Sequence, residues 1–122
     1  MVSTDVVRRI AGALPEVQDR SNDKGLHFRV RGKLLAWTPR QRAGAKGPRD
    51  PDLTVLVVRC DVDVRDIMME AEPGKFFVTS HYAGYPAMLV RLDEVGEDEL
   101  RGVLISAWRH EAPPGLARQL EL

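Results

Sequence analysis

Leu53-Thr54-Val55-Leu56-Val57-Val58-Arg59 is the stretch of this chain that constrains the fold most strongly. A strand with one solvated face alternates apolar and polar residues, whereas residues 55–58 are apolar throughout. Because successive side chains of a strand point to opposite faces of a sheet, both faces of this strand carry apolar groups. The stretch therefore predicts a central strand that is covered on both sides.

Four further strands are predicted around it, from short apolar or alternating runs that end at turn residues. In the first of them His27, Arg29 and Arg31 alternate with apolar residues, and Gly32 then permits a tight turn into the next strand. The predicted strands cover residues 26–31, 34–38, 75–79 and 87–91. With the central strand included, three strands precede residue 60 and two follow it.

Three helices are predicted, because apolar residues recur at spacings of three and four. The first begins after Ser3 or Thr4 and ends at Pro15, and Asp63 caps the second. The expected core-facing residues are Val6, Val7, Ile10, Ala11 and Leu14 in the first helix, Val64, Ile67, Met68 and Ala71 in the second, and Leu100, Val103, Leu104, Ala107 and Trp108 in the third. The element order is therefore α-β-β-β-α-β-β-α, and residues 113–122 are expected to form a C-terminal tail with a short helix.

The composition indicates one soluble domain that spans residues 1–122. The chain has 43% hydrophobic and 30% charged residues, which is ordinary for a globular protein. Neither a signal peptide nor a run of about 18 apolar residues is visible, so no membrane partner is expected. Cys60 is the only cysteine, so no intrachain disulfide can form. These features predict a cytoplasmic location and a buried, unreactive thiol.

The charges are distributed unevenly along the chain. The sequence holds 18 Lys and Arg and 18 Asp and Glu, and residues 24–49, the basic segment, contain eight of these cations and no acid. The rest of the chain therefore has ten cations against all 18 acids. Clustered cations attract polyanions, and an acidic remainder repels them. Residues 39–52, which overlap the end of this segment, contain three prolines and no periodicity, and we expect them to form a flexible basic loop.

Several short motifs along the chain point to a known family. They are Leu14-Pro15-Glu16-Val17, Gly32-Lys33-Leu34-Leu35-Ala36, Leu92-Asp93-Glu94-Val95 before Glu99-Leu100, and Ala107-Trp108-Arg109 before Ala112-Pro113 and Leu116. In their order and spacing, over almost the whole chain, they resemble the bacterial MmcQ/YjbR family. The resemblance implies a two-layer α+β fold with an antiparallel sheet and helices mainly on one face, similar to the frataxin-like and secretion-chaperone-like arrangements. Members are described as "double wing" DNA-binding proteins, a label that rests largely on the fold.

The basic segment predicts DNA binding, mainly through the backbone phosphates. The first hairpin would display its cations on a rigid surface, and the loop after it would follow the DNA backbone. The residues expected to contact nucleic acid are Arg29, Arg31, Lys33, Arg40, Arg42, Lys46 and Arg49. A solvated basic face that merely offsets nearby acids, such as Asp19 and Asp52, is the alternative without a nucleic-acid role.

A further hypothesis is a protein-interaction or small-anion-binding module. Trp37, together with His81, Tyr82 and Tyr85 in the last hairpin, would line its ligand site. Many relatives have a tryptophan where this chain has Tyr85-Pro86-Ala87-Met88, so Tyr82 or Tyr85 would supply the aromatic ring. The apolar strands also predict a cover on the sheet face without helices, supplied by a loop, the C-terminal tail, a second subunit in a homodimer or a partner protein.

No cofactor, metal site or catalytic centre is predicted. His27, His81 and His110 lie far apart, and no Cys-x-x-Cys or His-x-x-x-His spacing is present. The chain also contains no Gly-x-Ser-x-Gly elbow and no phosphate-binding glycine loop followed by Lys-Ser/Thr. We therefore expect a binding protein and not an enzyme.

Overall fold

In the part of the chain that the structure describes, the strands form a six-stranded antiparallel sheet and a separate two-stranded hairpin. The computed structural model describes residues 2–42 and 49–118. The strands are β1 (Val17–Asp19), β2 (His27–Val30), β3 (Lys33–Trp37), β4 (Arg40–Arg42), β5 (Arg49–Pro51), β6 (Val55–Arg59), β7 (Phe76–Phe77) and β8 (Ala87–Arg91). The helices are α1 (Thr4–Gly12), α2 (Val62–Ala71), α3 (Glu97–Glu111) and α4 (Pro114–Ala117). The large sheet has the order β1-β2-β3-β6-β8-β7, which confirms the predicted α+β class with an antiparallel sheet.

Strand β6 lies in the middle of the large sheet, between β3 and β8. Leu56 and Val58 face the main core, whereas Val55 and Val57 face a second apolar cluster on the opposite side. All four side chains are at most 4% exposed. The prediction of a central strand covered on both faces is therefore confirmed.

Helices α1 and α3 pack against each other and cover one face of the sheet. The predicted core residues of α3 are all buried, and α1 buries Val7, Ile10 and Ala11 as predicted. Trp108 is fully buried, and its indole Nε1 donates a hydrogen bond to the Pro15 carbonyl oxygen at 2.9 Å. This contact ties the end of α3 to the segment that follows α1.

The opposite face of the sheet, which we call the helix-free face, is marked by the buried side chains of Val57 and Leu89. Trp37, Phe77 and Tyr82 pack over this apolar cluster. Tyr82 belongs to the connection between β7 and β8, residues 78–86. A loop of the same chain therefore supplies part of the cover, which is one of the possibilities predicted from the sequence.

Helix α2 turns a different side to the core than its sequence predicts. Asp61, not Asp63, is the N-cap, and its side chain accepts a hydrogen bond from the Asp63 amide at 2.8 Å. Val64 and Ile67, both predicted to be in the core, are 46% and 68% exposed, whereas Arg65 is only 5% exposed. The predicted core face is therefore wrong for Val64, Ile67 and Ala71, whereas Met68 packs against the main core as predicted. Periodicity identifies the apolar stripe of a helix, but the elements packed against the helix decide which side is buried.

Three of the short strands are absent from the sequence prediction. β1 adds an edge strand beside β2, and β4 pairs with β5 inside the expected loop at residues 39–52. Runs of three residues are too short for a period to be recognised. Residues 43–48 lie outside the described part of the chain, so the flexibility of this segment stays a prediction. The expected short helix near the C-terminus is present as α4.

Replacing Trp108 with Phe is expected to lower the free energy of unfolding by about 1–3 kcal/mol, because the Pro15 carbonyl loses its donor and a small cavity remains. Chemical unfolding followed by far-UV circular dichroism measures this change. Ser106→Ala, on the exposed side of α3, is the matched control and should alter stability by less than about 0.5 kcal/mol. Equal stability of the Trp108→Phe variant and the wild type would contradict this role of the indole.

Candidate nucleic-acid interface

The register of the sheet places His27 and Trp37 in one row on the helix-free face. His27 pairs with Trp37, Trp37 with Val57, and Val57 with Leu89. Residues that pair directly across antiparallel strands point to the same side of the sheet. Val57 and Leu89 are buried, while His27 and Trp37 are half-buried. The row therefore leads from the apolar cluster to a partly exposed polar surface.

The four residues of the predicted ligand site, Trp37, His81, Tyr82 and Tyr85, lie together on this face. The Trp37 ring centroid is 6.1 Å from that of Tyr82 and 6.3 Å from that of Tyr85, and the His81 and Tyr82 centroids are 4.7 Å apart. Trp37 Nε1 also donates a hydrogen bond to the Tyr82 hydroxyl oxygen at 3.3 Å. Tilted and edge-on contacts of this kind are favourable for aromatic rings. His81 and Tyr85 are exposed, so two of the four rings remain accessible to a ligand.

The buried Arg65 of α2 holds the loop that carries these rings. Its Nη1 donates to the carbonyl oxygens of Tyr85 at 3.0 Å and Ala87 at 3.3 Å, and its Nη2 donates to that of Ala83 at 3.3 Å. Because a guanidinium presents five N–H donors in a planar fork, one side chain can contact several carbonyls. Burying a cation raises the free energy of the folded state unless the cation is hydrogen-bonded. The hydrogen bonds to the loop carbonyls therefore also stabilise the buried position of the Arg65 side chain.

A pocket of about 210 Å³ opens beside Trp37. Lys24, His27 and Arg40 contribute to its wall, and no aspartate or glutamate lines it. Among the described residues, no ion pair involves the side chains of Lys24 or Arg40. Cations that have no acidic partner can bind an anionic group, and a neighbouring aromatic ring can stack on a planar base. The pocket therefore favours an anion that is attached to a base.

A glycine allows one wall of this pocket to form. Gly25 has a φ of +133°, and a Cβ built there would lie 2.7 Å from the Cβ of Thr38. Thr38 Oγ1 accepts a hydrogen bond from the Leu26 amide at 2.8 Å, which keeps the chain after Lys24 close to the end of β3. Since only a residue without a side chain fits this approach, the backbone places Lys24 at the pocket.

The prediction that Arg31 shares a strand face with Arg29 is wrong. β2 ends at Val30, and Arg31 and Gly32 have φ values of 48° and 81°, positive as a type I′ turn requires. Arg31 therefore leaves the strand and pairs with Glu16, with 2.8 Å between Arg31 Nη2 and Glu16 Oε2. The hydrogen bond from Arg31 lowers the pKa of Glu16. This cation is consequently engaged within the protein.

Arg29 and Lys33 lie on opposite sides of the sheet. Val30, whose side chain is in the main core, pairs with Lys33, so Lys33 lies on the side of the helices. Arg29 lies on the helix-free face, where it donates to His27 Nε2 at 2.9 Å and to the Gly32 carbonyl oxygen at 2.8 Å. Of the three hairpin cations, Arg29 alone lies on the sheet face that carries the pocket, where it contacts the pocket residue His27.

His27 acts as a neutral hydrogen-bond acceptor in this arrangement. Burial lowers its pKa, and the charges of Arg29 and Arg20 lower the pKa further. The ring therefore adds no positive charge to the pocket at neutral pH. Acidification would protonate it and make the pocket more cationic.

The other predicted cations belong to the segment around β4 and β5. Arg40 is exposed at the pocket, and the backbones of Arg42 and Arg49 pair opposite each other. Lys46 lies outside the described residues. Within this set, Arg40 is the cation that lies at the pocket beside Trp37.

Three residues belong to this surface although they are missing from the sequence-based site: Lys24, His27 and Arg59. The Cζ of Arg59 lies 4.7 Å from the ring centroid of Tyr85, and its Nε pairs with Glu111 Oε1 at 2.9 Å. Lys24 could have been predicted from its place in the basic segment, and His27 from its alternation with Arg29 on one strand face. No local feature of the sequence predicts Arg59, because its contact with Tyr85 depends on where a distant loop folds.

Other chemistry has little support in the described part of the chain. Residues 2–42 and 49–118 contain no group of three or more His, Cys, Asp or Glu side chains that could hold a metal ion. Burial raises the pKa of Cys60 to about 11, so its thiol is protonated at neutral pH. Over the same residues, no helix is long and apolar enough to cross a membrane.

The fold and this surface define a small α+β domain whose antiparallel sheet carries basic and aromatic side chains on its helix-free face. A model of the family described as YjbR matches residues 12–110. The chain therefore belongs to the YjbR family, as its motifs predict.

Several known proteins are similar to this chain. The uncharacterised proteins Mb2600 of Mycobacterium bovis and Rv2570 of Mycobacterium tuberculosis are both 34% identical to it over 125 residues, which cover 97% of this chain and 95% of each relative. Among solved structures, the Deinococcus radiodurans protein DR2400, with a DUF419 domain, matches with a TM-score of 0.68 at 18% identity. That match covers 98% of this chain and 88% of the other chain, and it supports the fold alone.

Replacing Arg65 with Met is expected to release the loop that carries Tyr82 and Tyr85. The loss of hydrogen bonds from a charged donor should lower the free energy of unfolding by about 1.5–3 kcal/mol. Amide hydrogen exchange should become faster in residues 82–87 than in α3. Arg101→Met, on the exposed surface of α3, is the control and should leave both quantities unchanged. Unchanged exchange in this loop of the Arg65→Met variant would show that Arg65 does not hold it.

Proposed function

We propose that this protein is a non-enzymatic DNA-binding protein of the cytoplasm that contacts backbone phosphates with its helix-free sheet face. One observation supports the proposal most directly: Lys24 and Arg40 line the pocket beside Trp37, and Arg29 lies next to His27 on the same sheet face, with no acidic partner for these three cations among the described residues. Cations that neutralise phosphates release condensed counterions, which favours binding independently of the base sequence. The proposed interface is thus centred on the sheet face and not on the tip of the first hairpin.

The exposed rings favour DNA with unpaired bases. Aromatic side chains stack on bases that have left the duplex, and each stack is worth about 1–3 kcal/mol. His81 and Tyr85 are exposed for such contacts. The pocket beside Trp37, at about 210 Å³, is smaller than the roughly 300–1,000 Å³ of pockets that enclose drug-sized ligands. It would accept one phosphate or the edge of one base, while the strand continues across the sheet face.

The distribution of acids supports binding on this face. Outside the basic segment the chain has more acids than cations, so the remaining surface repels DNA. Asp19, which could have offset the basic segment, instead pairs with Arg8 of α1, with 2.7 Å between Asp19 Oδ2 and Arg8 Nε. The neutral total charge is therefore compatible with a local attraction for phosphate.

Replacing Lys24, Arg29 and Arg40 together with Gln is expected to weaken DNA binding and its salt dependence. If each cation neutralises one phosphate, the log-log salt slope should become shallower by about 2 on single-stranded DNA and by about 2.7 on duplex. Fluorescence anisotropy of labelled oligonucleotides at several salt concentrations measures both slopes. Tighter binding of the single strand than of the duplex would support a role for the rings.

The control for this experiment changes the charge equally at other positions. Arg9→Gln, Arg101→Gln and Arg118→Gln remove three exposed cations outside the pocket. This triple variant should keep most of the affinity and nearly the same salt slope. Equal losses in the two triple variants, or no binding by the wild type at low salt, would refute the proposed interface.

A second candidate function is the binding of a small anion in the same pocket, since its wall contains Lys24 and Arg40 and no acid. Titration calorimetry with inorganic phosphate and with a nucleoside monophosphate is expected to show binding that the Lys24→Gln/Arg40→Gln variant loses. If phosphate binds but DNA does not, the protein is a small-anion module. A homodimer or protein partner on this sheet face stays a prediction, although the apolar residues that suggested it are covered within the chain.

A further inference from the structure

Helix α2 presents apolar side chains to solvent. Among the described residues, five large hydrophobic side chains are exposed, and three of them are on α2: Val62 at 37%, Val64 at 46% and Ile67 at 68%. Single exposed apolar residues are common, whereas a contiguous group beside a groove indicates an interaction site. Val64, Ile67 and Met68 are spaced by three and four residues, so they form one stripe along the helix, in which Met68 is half-buried against the main core.

This stripe borders a groove between α2 and α3. The groove has a volume of about 230 Å³, and its apolar surface comes from Val58, Phe76 and Met88 of the sheet, Val64 and Met68 of α2, and Val103 of α3. On the α3 side, no atom lies within 4 Å of a Cβ built at Gly102, so the space above this glycine is open. The side of α2 that carries Arg65 faces the loop at residues 82–87. The apolar stripe is on a different side of the helix, where it borders the groove and leaves the space in it open.

The rim of the groove is acidic. Residues 61–72, which comprise α2 and its caps, contain five acids and one base, Arg65, which is buried and pairs with Asp66 at 3.3 Å. Of these five acids, Glu72 lines the groove. Glu72 and Glu99 line the groove, and Lys75 bridges them at 2.9 Å to each carboxylate. A net negative rim favours a cationic occupant and repels a fatty-acid carboxylate.

We propose that this groove binds a basic amphipathic helix of a partner protein. Such a helix would place apolar residues at positions i, i+3 or i+4, and i+7 between α2 and α3, and its Lys and Arg residues beside Glu72 and Glu99. Three such anchors span about 10 Å, whereas the ten residues of α2 extend for about 15 Å, so one helix face fits along the groove. The proposal does not depend on DNA binding by the helix-free face.

A synthetic probe tests this directly. A fluorescein-labelled peptide of about 16 residues, with Leu at the anchor positions and Lys and Ala elsewhere, is expected to raise its anisotropy on binding below about 100 μM protein. Val64→Glu, at a residue that lines the groove and is 46% exposed, should weaken this binding by about tenfold or more. Leu53→Glu is the matched control, because Leu53 is 52% exposed but lies outside the groove. Circular dichroism verifies that the variants are folded.

The charge of the rim is tested with the same assay. A peptide with Glu in place of Lys should bind at least about tenfold more weakly, and Glu72→Gln/Glu99→Gln should weaken binding of the basic peptide and not of the acidic one. No binding, an unchanged affinity after Val64→Glu, or equal affinity for both peptides would refute the proposal. A dimer in sedimentation analysis that Val64→Glu dissociates would also refute it, because a second copy would then occupy the groove. DNA binding should be the same in the Val64→Glu variant and the wild type.

Discussion

The apolar character of β6 on both faces is the constraint on which the rest of the structure depends. A strand of this kind is stable only when two separate covers exclude water from it. Helices α1 and α3 provide one cover, and Trp37, Phe77 and Tyr82 provide the other. The second cover includes a loop, which needs an anchor to stay on the sheet. Arg65 supplies that anchor by donating hydrogen bonds to the loop carbonyls.

The position of Arg65 has consequences on both sides of α2. Because the arginine is turned towards the loop, Val64 and Ile67 are left facing solvent, and Val64 lines the groove. The anchored loop in turn brings Tyr82 and Tyr85 next to Trp37 on the helix-free face. The proposed DNA interface and the proposed helix-binding groove therefore share one structural element. They differ in charge, since the first is cationic and the second is acidic, so the two surfaces suit different partners.

Much of the fold could be predicted from local sequence, and the site could be predicted only in part. The stripe of α3 was identified correctly, because its apolar residues all pack on the same sheet. The same reasoning failed for most of α2, where Arg65 is buried, Val64 and Ile67 are exposed, and Met68 alone of the predicted residues packs against the core. The four aromatic residues were predicted as one site and lie together, whereas the cations of the first hairpin separate. Their separation follows from the turn at Arg31 and Gly32, which directs Arg31 to Glu16.

The sequence by itself determined the α+β class, the doubly covered central strand and the uneven charge, because each depends on the period or composition of a short segment. Only the tertiary structure decided which cations meet at Trp37, which side of α2 is buried and where the apolar groove lies. These features depend on contacts between residues far apart in the chain, such as Arg65 with Tyr85 and Arg59 with Glu111. A local pattern records the chemistry of a residue but not the neighbour that folding brings to it.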